Sequence, residues 1–384
     1  MQVEKEILVR YGEIFLKSEM VRRIYEKKLV ENIKASLKKS SLEFEIYRTR
    51  GRIFIKTENL KKACKTLKKI FGIVSFSPCF HLKTSKKEEI VKFFEENYEQ
   101  FVKPKQTFAL EIKRIGKHDY SSMELAKDVG KVIKRKVNLS KPQVKIFVEV
   151  RENDTYVYTK KIKGLGGMPV SSSGKVLSLI SGGIDSPVSS WLAMKRGCKV
   201  IFIHFHSFPL VSKTSIEKTR ELIKILSQYQ GKSRVYFIPF SEIQMKIKTL
   251  ASAKYRIVLY RRVMLKIAEE IAKKENAKAL VTGESLAQVS SQTLDNILAI
   301  EEATTLPILR PLVGMDKNEI IELAKKIKTY EISIKPQEDC CTLFVPKHPT
   351  TRAKLEIIKR IEKKLKLEKE IDNVIKKAEV EEIG

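Results

Sequence analysis

Residues 176–187 read Val-Leu-Ser-Leu-Ile-Ser-Gly-Gly-Ile-Asp-Ser-Pro. The first five are a buried-strand pattern, the glycine pair is a turn, and residues 187–196 follow with a helix pattern. A strand that runs through a glycine loop into a helix makes an anion site. The glycines allow the tight turn, and N–H groups at the helix start face the anion. Ser181, Gly182, Gly183 and Ser186 offer backbone and hydroxyl donors to phosphate. Asp185 cannot hold phosphate itself, but it can hold a Mg²⁺ that bridges phosphates. A kinase-type loop needs Gly-x-x-x-x-Gly-Lys-Ser/Thr, and no such run occurs. A chance glycine turn is the competing reading. The strand–loop–helix setting argues against it.

The chain has 384 residues, more than one ordinary core holds, so two or three domains are expected. Apolar residues make up 42%, enough for packed cores. No apolar run approaches a membrane span. The charged start, Met1-Gln-Val-Glu-Lys-Glu6, enters a strand pattern at once, which speaks against a secretory leader. Cysteines at 64, 79, 198, 340 and 341 form an odd, sparse set with no Cys-x-x-Cys. A disulfide framework, a zinc site and an iron–sulfur cluster are all disfavoured by that spacing. A cytoplasmic enzyme is expected.

The formal net charge is +30. Residues 1–170 hold 39 basic against 21 acidic residues, and residues 171–384 hold 37 against 25. A lysine-rich proteome explains many lysines but not their excess over acids. A polyanion partner, most simply nucleic acid, explains the excess.

From 175 onward, short apolar strands (175–180, 199–205, 234–239, 279–282) alternate with helices (187–196, 214–230, 242–252, 256–275, 317–328). That order predicts a doubly wound parallel sheet with its ligand at the carboxyl ends of the strands. Upstream, 3–10 reads as a strand, 18–40 as a helix, 42–47 and 52–55 as a strand pair, and 58–70 as a helix. This is a ferredoxin-like order. Strand 71–83, helix 86–100, strand 107–114, helix 122–137 and strands 143–150 and 155–160 make a second α+β module. Gly164-Leu-Gly-Gly-Met-Pro169 with Ser171–Ser173 reads as a linker. The tail 351–379 reads as one charged amphipathic helix with a solvated face.

Several spaced blocks match one family in order. They are Gly164-Leu-Gly-Gly-Met-Pro-Val, Ser181-Gly-Gly-Ile-Asp-Ser-Pro-Val, His204-Phe-His-Ser and Thr282-Gly-Glu-Ser-Leu-Ala-Gln-Val-Ser-Ser-Gln-Thr-Leu. Arg310-Pro-Leu-Val-Gly-Met-Asp-Lys-Asn-Glu and Glu338-Asp-Cys-Cys-Thr follow. The chain resembles the tRNA 4-thiouridine synthetases of the ThiI family over nearly its whole length. Those belong to the wider PP-loop pyrophosphatases that Ser-Gly-Gly-x-Asp-Ser marks. The resemblance implies a ferredoxin-like domain at 1–56, a THUMP RNA-binding domain at 57–163, a linker at 164–174 and a PP-loop adenylation domain at 175–384.

The resemblance further implies that ATP binds the loop, with Mg²⁺ on Asp185. Uridine 8 of tRNA is adenylated with release of pyrophosphate, and a persulfide-derived sulfur replaces AMP. Leu179, Ile180, His204, Phe205, Arg261, Gly283 and Gln292 correspond to the family's further ATP contacts. Lys317 matches a functional lysine that neutralises charge at the α-phosphate, and Cys340 matches the active-site cysteine. Cys341 leaves open which of the two carries sulfur. Long members add a rhodanese-like domain with a carrier cysteine. No cysteine follows 341 here, so a short form fed directly by a cysteine desulfurase or another persulfide donor is expected. The THUMP-like segment places Lys113, Arg114 and Lys117 on a strand-to-helix stretch, with Lys131, Lys134, Arg135 and Lys136 on the next helix, as a tRNA-binding cluster. A homodimer and a second role in thiamine synthesis accord with the resemblance, though no residue reads them out.

Three other readings stay open at this point. An amidating PP-loop enzyme leaves the basic front half unexplained. An RNA-binding protein with a decayed ATP site is opposed by the intact loop and Lys317. An iron–sulfur tRNA thiolase is opposed by the cysteine spacing.

Overall fold

The computed structural model describes residues 3–49, 51–336, 344 and 348–384. Cys340 and Cys341 lie outside the described residues. The chain forms two compact units, Met1–Gly167 and Met168–Gly384.

The first unit contains strands β1 (Val3–Tyr11), β2 (Glu45–Thr49), β3 (Arg52–Lys56), β4 (Ile73–Leu82), β5 (Thr107–Ile115), β6 (Lys136–Val137), β7 (Val144–Arg151), β8 (Asp154–Tyr158) and β9 (Ile162–Lys163). Its helices are α1 (Glu19–Lys39), α2 (Leu60–Leu67), α3 (Lys87–Phe101) and α4 (Ser122–Val132). The two modules read from the sequence share one sheet, in the order β2-β3-β1-β4-β8-β7-β5-β6, with β9 beside β4. β4 joins them: it pairs antiparallel with β1 along its length and with β8 through Phe80↔Val157 and His81↔Tyr156. Stacked rings of Tyr47, Phe54 and Tyr156, with centroids 4.9 and 4.5 Å apart, tie the two halves together. A second core of Ile90, Phe93, Phe94, Leu125, Val129 and Val148 lies under α3 and α4.

Helix 122–137 ends earlier than the sequence pattern suggests, at Val132. Lys136 and Val137 extend to pair in parallel with Thr107 and Phe108 of β5, and strand pairing overrides helix propensity there. The glycine stretch after residue 163 is also held. Gly164 N and Gly166 N donate to the Val74 and Ile73 carbonyls, while Met168 N and Ser173 N donate to those of Lys195 and Gly197. A Cβ on Gly164 would meet the Ile73 oxygen at 2.2 Å, so only glycine fits.

The second unit contains β10 (Lys175–Leu179), β11 (Lys199–His206), β12 (Ser233–Pro239), β13 (Leu280–Val281), β14 (Ile308–Leu309) and β15 (Glu379–Ile383). Its helices are α5 (Asp185–Lys195), α6 (Thr214–Gln230), α7 (Ser241–Leu250), α8 (Arg256–Glu275), α9 (Leu294–Glu301), α10 (Lys317–Ile327), α11 (Tyr330–Ser333), α12 (Leu355–Leu365) and α13 (Glu368–Lys376). The sheet order is β14-β13-β10-β11-β12-β15, parallel except for β15. Leu177, Ile201, Ile203 and Ile238 face a core shared with α7 and α8. On the other face Ser178 Oγ lies 2.8 Å from Ser190 Oγ of α5. Helices thus cover both faces, as strands buried on both sides require. The chain leaves β10 first toward β11 and returns to its other side with β13. That reversal is a switch point, where a crevice opens at the carboxyl ends.

The tail is not one helix. Lys366, in the left-handed region at φ 45°, separates α12 from α13. Residues 379–383 then add an antiparallel edge, pairing Glu379 with Phe237 and Ile383 with Ser233.

Candidate functional site

The loop between β10 and α5 is built by serine side chains. Ser186 Oγ accepts from Ser181 N at 2.8 Å and sits 3.2 Å from Ser181 Oγ, which accepts from Gly183 N at 3.3 Å. Ser190 Oγ donates to the Ser186 carbonyl at 2.8 Å. The hydroxyls of the motif therefore shape the turn as well as facing it. No side chain caps α5, and Asp185 occupies its first turn, where the helix dipole favours a carboxylate. Gly283 packs against this start: a Cβ there would come within 2.7 Å of Ser186 N and 2.9 Å of its Cα. Ser189 Oγ donates to the Thr282 carbonyl at 2.6 Å and fastens the same contact.

A cavity of about 220 Å³ opens at the carboxyl ends of β10, β11, β13 and β14. Leu179, Ile180, Ser181, Gly183, Asp185, Ser186, His204, Phe205, Arg261, Gly283 and Gln292 all line it. Of the nucleotide residues expected from sequence, Gly182 alone is not in the lining; it is buried in the turn beside it. Met264, Leu265, Thr282, Glu284, Ile300, Ile308 and Arg310 complete the wall, and sequence reasoning assigned none of them to the site. Arg310 stands directly after the short strand β14, and Glu284 three residues past the end of β13. A charge that ends an apolar run was the available signal.

Lys317 Nζ meets Asp185 Oδ1 at 2.6 Å, and Gln288 Nε2 donates to Asp185 Oδ2 at 3.3 Å. Lys317 is the first residue of α10, whose capping box joins Asp316 to Glu319. A cation in a first turn opposes the helix dipole. Its position there serves Asp185 rather than the helix.

Glu284, only 3% exposed, anchors the other wall. It takes Arg261 Nη1 on one oxygen and, on the other, Arg310 Nε at 2.7 Å and Thr282 Oγ1 at 3.0 Å. Burial pushes its carboxyl up, but the charges of Arg261 and Arg310 and the two hydrogen bonds outweigh that and hold it below the usual carboxylate range. His204 Nδ1 donates to the Ile180 carbonyl at 2.9 Å. Burial depresses His204 to about 4, against the pull of that carbonyl, so the ring is neutral near pH 7. His206 is likewise held at about 4, chiefly by burial. A neutral ring is a nucleotide-wall residue rather than a cationic phosphate ligand.

In the first unit Lys113, Lys117, Lys134 and Lys136 are exposed and carry no ion pair among the described residues. Lys131 pairs with Asp128 at 3.0 Å. Arg114 is turned inward, onto the carbonyls of His118 and Tyr120 and over the Tyr120 ring. Arg135 pairs with Glu99 at 3.1 Å and lies over Tyr98. Of these seven, Lys131 alone lies on α4; Lys134 to Lys136 follow its end. Burial raises the thiol pKa of Cys64, Cys79 and Cys198, which keeps all three protonated near neutral pH. Among the described residues no helix is long and apolar enough to cross a membrane.

Three family descriptions match the chain. Thiamine biosynthesis protein (ThiI) covers residues 171–367, the ThiI ferredoxin-like domain residues 6–77 and the THUMP domain residues 86–160. The chain is similar to a protein of Halothermothrix orenii named "Probable tRNA sulfurtransferase", 43% identical, covering 99% of each chain. A protein of Acetivibrio thermocellus with the same name is also 43% identical, over 98% of each. Among solved structures it is similar to a 4-thiouridine synthetase in complex with RNA and bound ATP, with TM-score 0.90, 35% identity and coverage of 99% and 100%. It also resembles PH1313 from Pyrococcus horikoshii, with TM-score 0.66, 25% identity and coverage of 84% and 99%.

Proposed function

The chain belongs to the ThiI family, and from that premise we propose that it is an ATP-dependent tRNA sulfurtransferase converting uridine 8 to 4-thiouridine. One observation carries this reading: residues from seven separate stretches of sequence converge on the cavity at the phosphate loop. The names of its relatives support it, as does the solved relative with RNA and ATP.

ATP lays its β- and γ-phosphates along residues 181–186, and its adenine against the apolar wall of Leu179, Ile180 and Phe205. O4 of the uridine attacks the α-phosphorus, the bond to pyrophosphate breaks, and the N3 proton leaves. Lys317, released from Asp185 by the arriving nucleotide, neutralises charge at the α-phosphate. Mg²⁺ takes one or two carboxylates plus substrate phosphates and keeps several waters. A single partly exposed carboxylate, Asp185, at the mouth of the loop would hold it, and a bound ion would supply positive charge near the departing pyrophosphate.

Adenylation leaves AMP as the leaving group on C4. A persulfide sulfur attacks C4 and AMP departs; a thiol then breaks the S–S bond, leaving sulfur on the base and a disulfide behind. Cys340 and Cys341 are the proposed pair, supplied by a cysteine desulfurase or another persulfide donor. The exposed lysines of the first unit hold the tRNA by its phosphates. The family's description as a thiamine biosynthesis protein supports thiamine synthesis as a second use of the sulfur. A homodimer accords with the family and is tested by the solution mass of the protein.

The test of the sulfur half is nucleoside analysis of tRNA after reaction with ATP and a persulfide donor. The Cys340→Ser, Cys341→Ser double variant is expected to lose 4-thiouridine while retaining pyrophosphate release. Normal 4-thiouridine from that variant would overturn the assignment of sulfur to this pair.

A further inference from the structure

Arg310 sits at the carboxyl end of β14 and lines the cavity. Two of its three guanidinium nitrogens are fixed: Nε donates to Glu284 at 2.7 Å and Nη1 to Glu301 at 3.0 Å. The third, Nη2, is buried and has no hydrogen-bond partner among the described residues. A planar fork held at two points cannot swing its third nitrogen toward water. Buried N–H groups left unpaired are rare, and one on a side chain that lines a cavity calls for an acceptor that arrives later. Two more lining side chains show the same lack: His204 Nε2 and Gln292 Oε1 are buried without a hydrogen-bond partner among the described residues. Glu284 accepts from Arg261, Thr282 and Arg310 Nε, and Nη2 makes no hydrogen bond to it.

We infer that Arg310 is a ligand-contacting residue of this pocket, donating through Nη2 to an oxygen of the bound substrate. The inference deepens the proposed function and rests on it. The acceptor is a phosphate or ribose oxygen of the nucleotide, or a carbonyl oxygen of the incoming pyrimidine. All present the same chemistry to a guanidinium. Glu284 is then a positioning residue, which aims Arg261 and Arg310 together from one carboxylate.

Arg310→Lys keeps a cation beside Glu284 but lacks the fork, and Arg310→Met removes both. Two quantities are measured on the full chain: equilibrium affinity for ATP without tRNA, and kcat/KM of tRNA-dependent pyrophosphate release. Thermal unfolding checks that each variant is folded. If Arg310→Met does not fold, Arg310→Lys carries the test alone. A loss of roughly 10- to 100-fold in one of the two is expected, the size of a charge-assisted hydrogen bond. Weakened ATP binding identifies the nucleotide oxygen. Intact ATP binding with reduced kcat/KM for tRNA identifies the base carbonyl. Values within about twofold of the parent in both assays overturn the inference. Recovery of Arg310→Met by a second change, Glu284→Gln, also overturns it, because Arg310 then only balances a buried charge. If the parent shows no tRNA-dependent release, the proposed function fails, while the ATP arm still tests Arg310.

Discussion

Two charged clusters in this chain look alike in composition and differ in one respect. In the first unit Glu6, fully buried, accepts from Tyr47 at 2.6 Å and faces His81 Nδ1, while His81 Nε2 meets Asp154 at 2.6 Å. Glu4 beside them is held by Lys83 at 2.7 Å and by Lys56. Both ring nitrogens of His81 and both oxygens of Glu6 have partners. In the second unit Glu284 is also buried and well paired, yet Arg310 Nη2, Gln292 Oε1 and His204 Nε2, on side chains that line the same cavity, have no hydrogen-bond partner among the described residues. A closed network holds strands together. An open one awaits a ligand. Carboxylates and a histidine at bonding distance are therefore no metal site in themselves.

The comparison breaks most visibly at the loop. Lys317→Ala removes the cation proposed to neutralise charge at the α-phosphate and is expected to lower pyrophosphate release by about 10³-fold, with unfolding within about 0.5 kcal/mol of the parent. A release rate near the parent's would show that the Lys317–Asp185 pair is only a surface bridge. Gly283→Ala forces a methyl into the backbone of Ser186. Release should fall by about 10²-fold and stability by about 1–3 kcal/mol, read by pyrophosphate assay and urea unfolding. Unchanged values would mean that the start of α5 yields freely.

The closed cluster should show the reverse. Glu6→Gln leaves a buried imidazolium half-paired and is expected to cost about 3–5 kcal/mol of stability, with the activity of the folded fraction unchanged. Its pH dependence has a definite sign. Burial lowers the pKa of His81, but hydrogen bonds and charge from Glu6 and Asp154 outweigh that and raise it above its ordinary 6.5. A group with a raised folded pKa stabilises fully below its unfolded value, and that share is lost as pH rises through the folded one. Urea midpoints should therefore decline from about pH 6.5 upward, and His81→Gln should flatten the decline. A parent profile as flat as the variant's would contradict the pairing. Smallest is the effect of single lysines. Lys113→Ala or Lys117→Ala should each weaken tRNA binding and reduce the slope of log affinity against log salt by about 0.7–0.9. An unchanged slope would remove that lysine from the RNA surface.

The parts legible in sequence were those whose physics is local. The loop was readable because strand, glycine turn, serines and Asp185 are contiguous. The parallel sheet was readable because apolar strands alternate with helical periods. Arg261, Gly283 and Gln292 were reached through the family resemblance, and their lining of one cavity depends on packing that no local pattern encodes. Two-residue strands such as Ile308–Leu309 carry too little pattern to register. β15 escaped because Glu379-Val-Glu-Glu-Ile reads as more of a charged tail, and only its pairing with β12 makes it a strand. The Glu6–His81–Asp154 network was invisible for the same reason: β1, β4 and β8 bring together residues up to 148 positions apart in sequence.

The cavity at the phosphate loop is proposed to adenylate one uridine of tRNA. Pyrophosphate release from ATP tests it most directly, measured with no RNA, with unmodified tRNA, with tRNA carrying cytidine at position 8, and with Asp185→Ala. Release is expected with unmodified tRNA alone, with a loss of about 10³-fold when uridine 8 or Asp185 is changed. Release that proceeds equally without tRNA, or with cytidine at position 8, would contradict it.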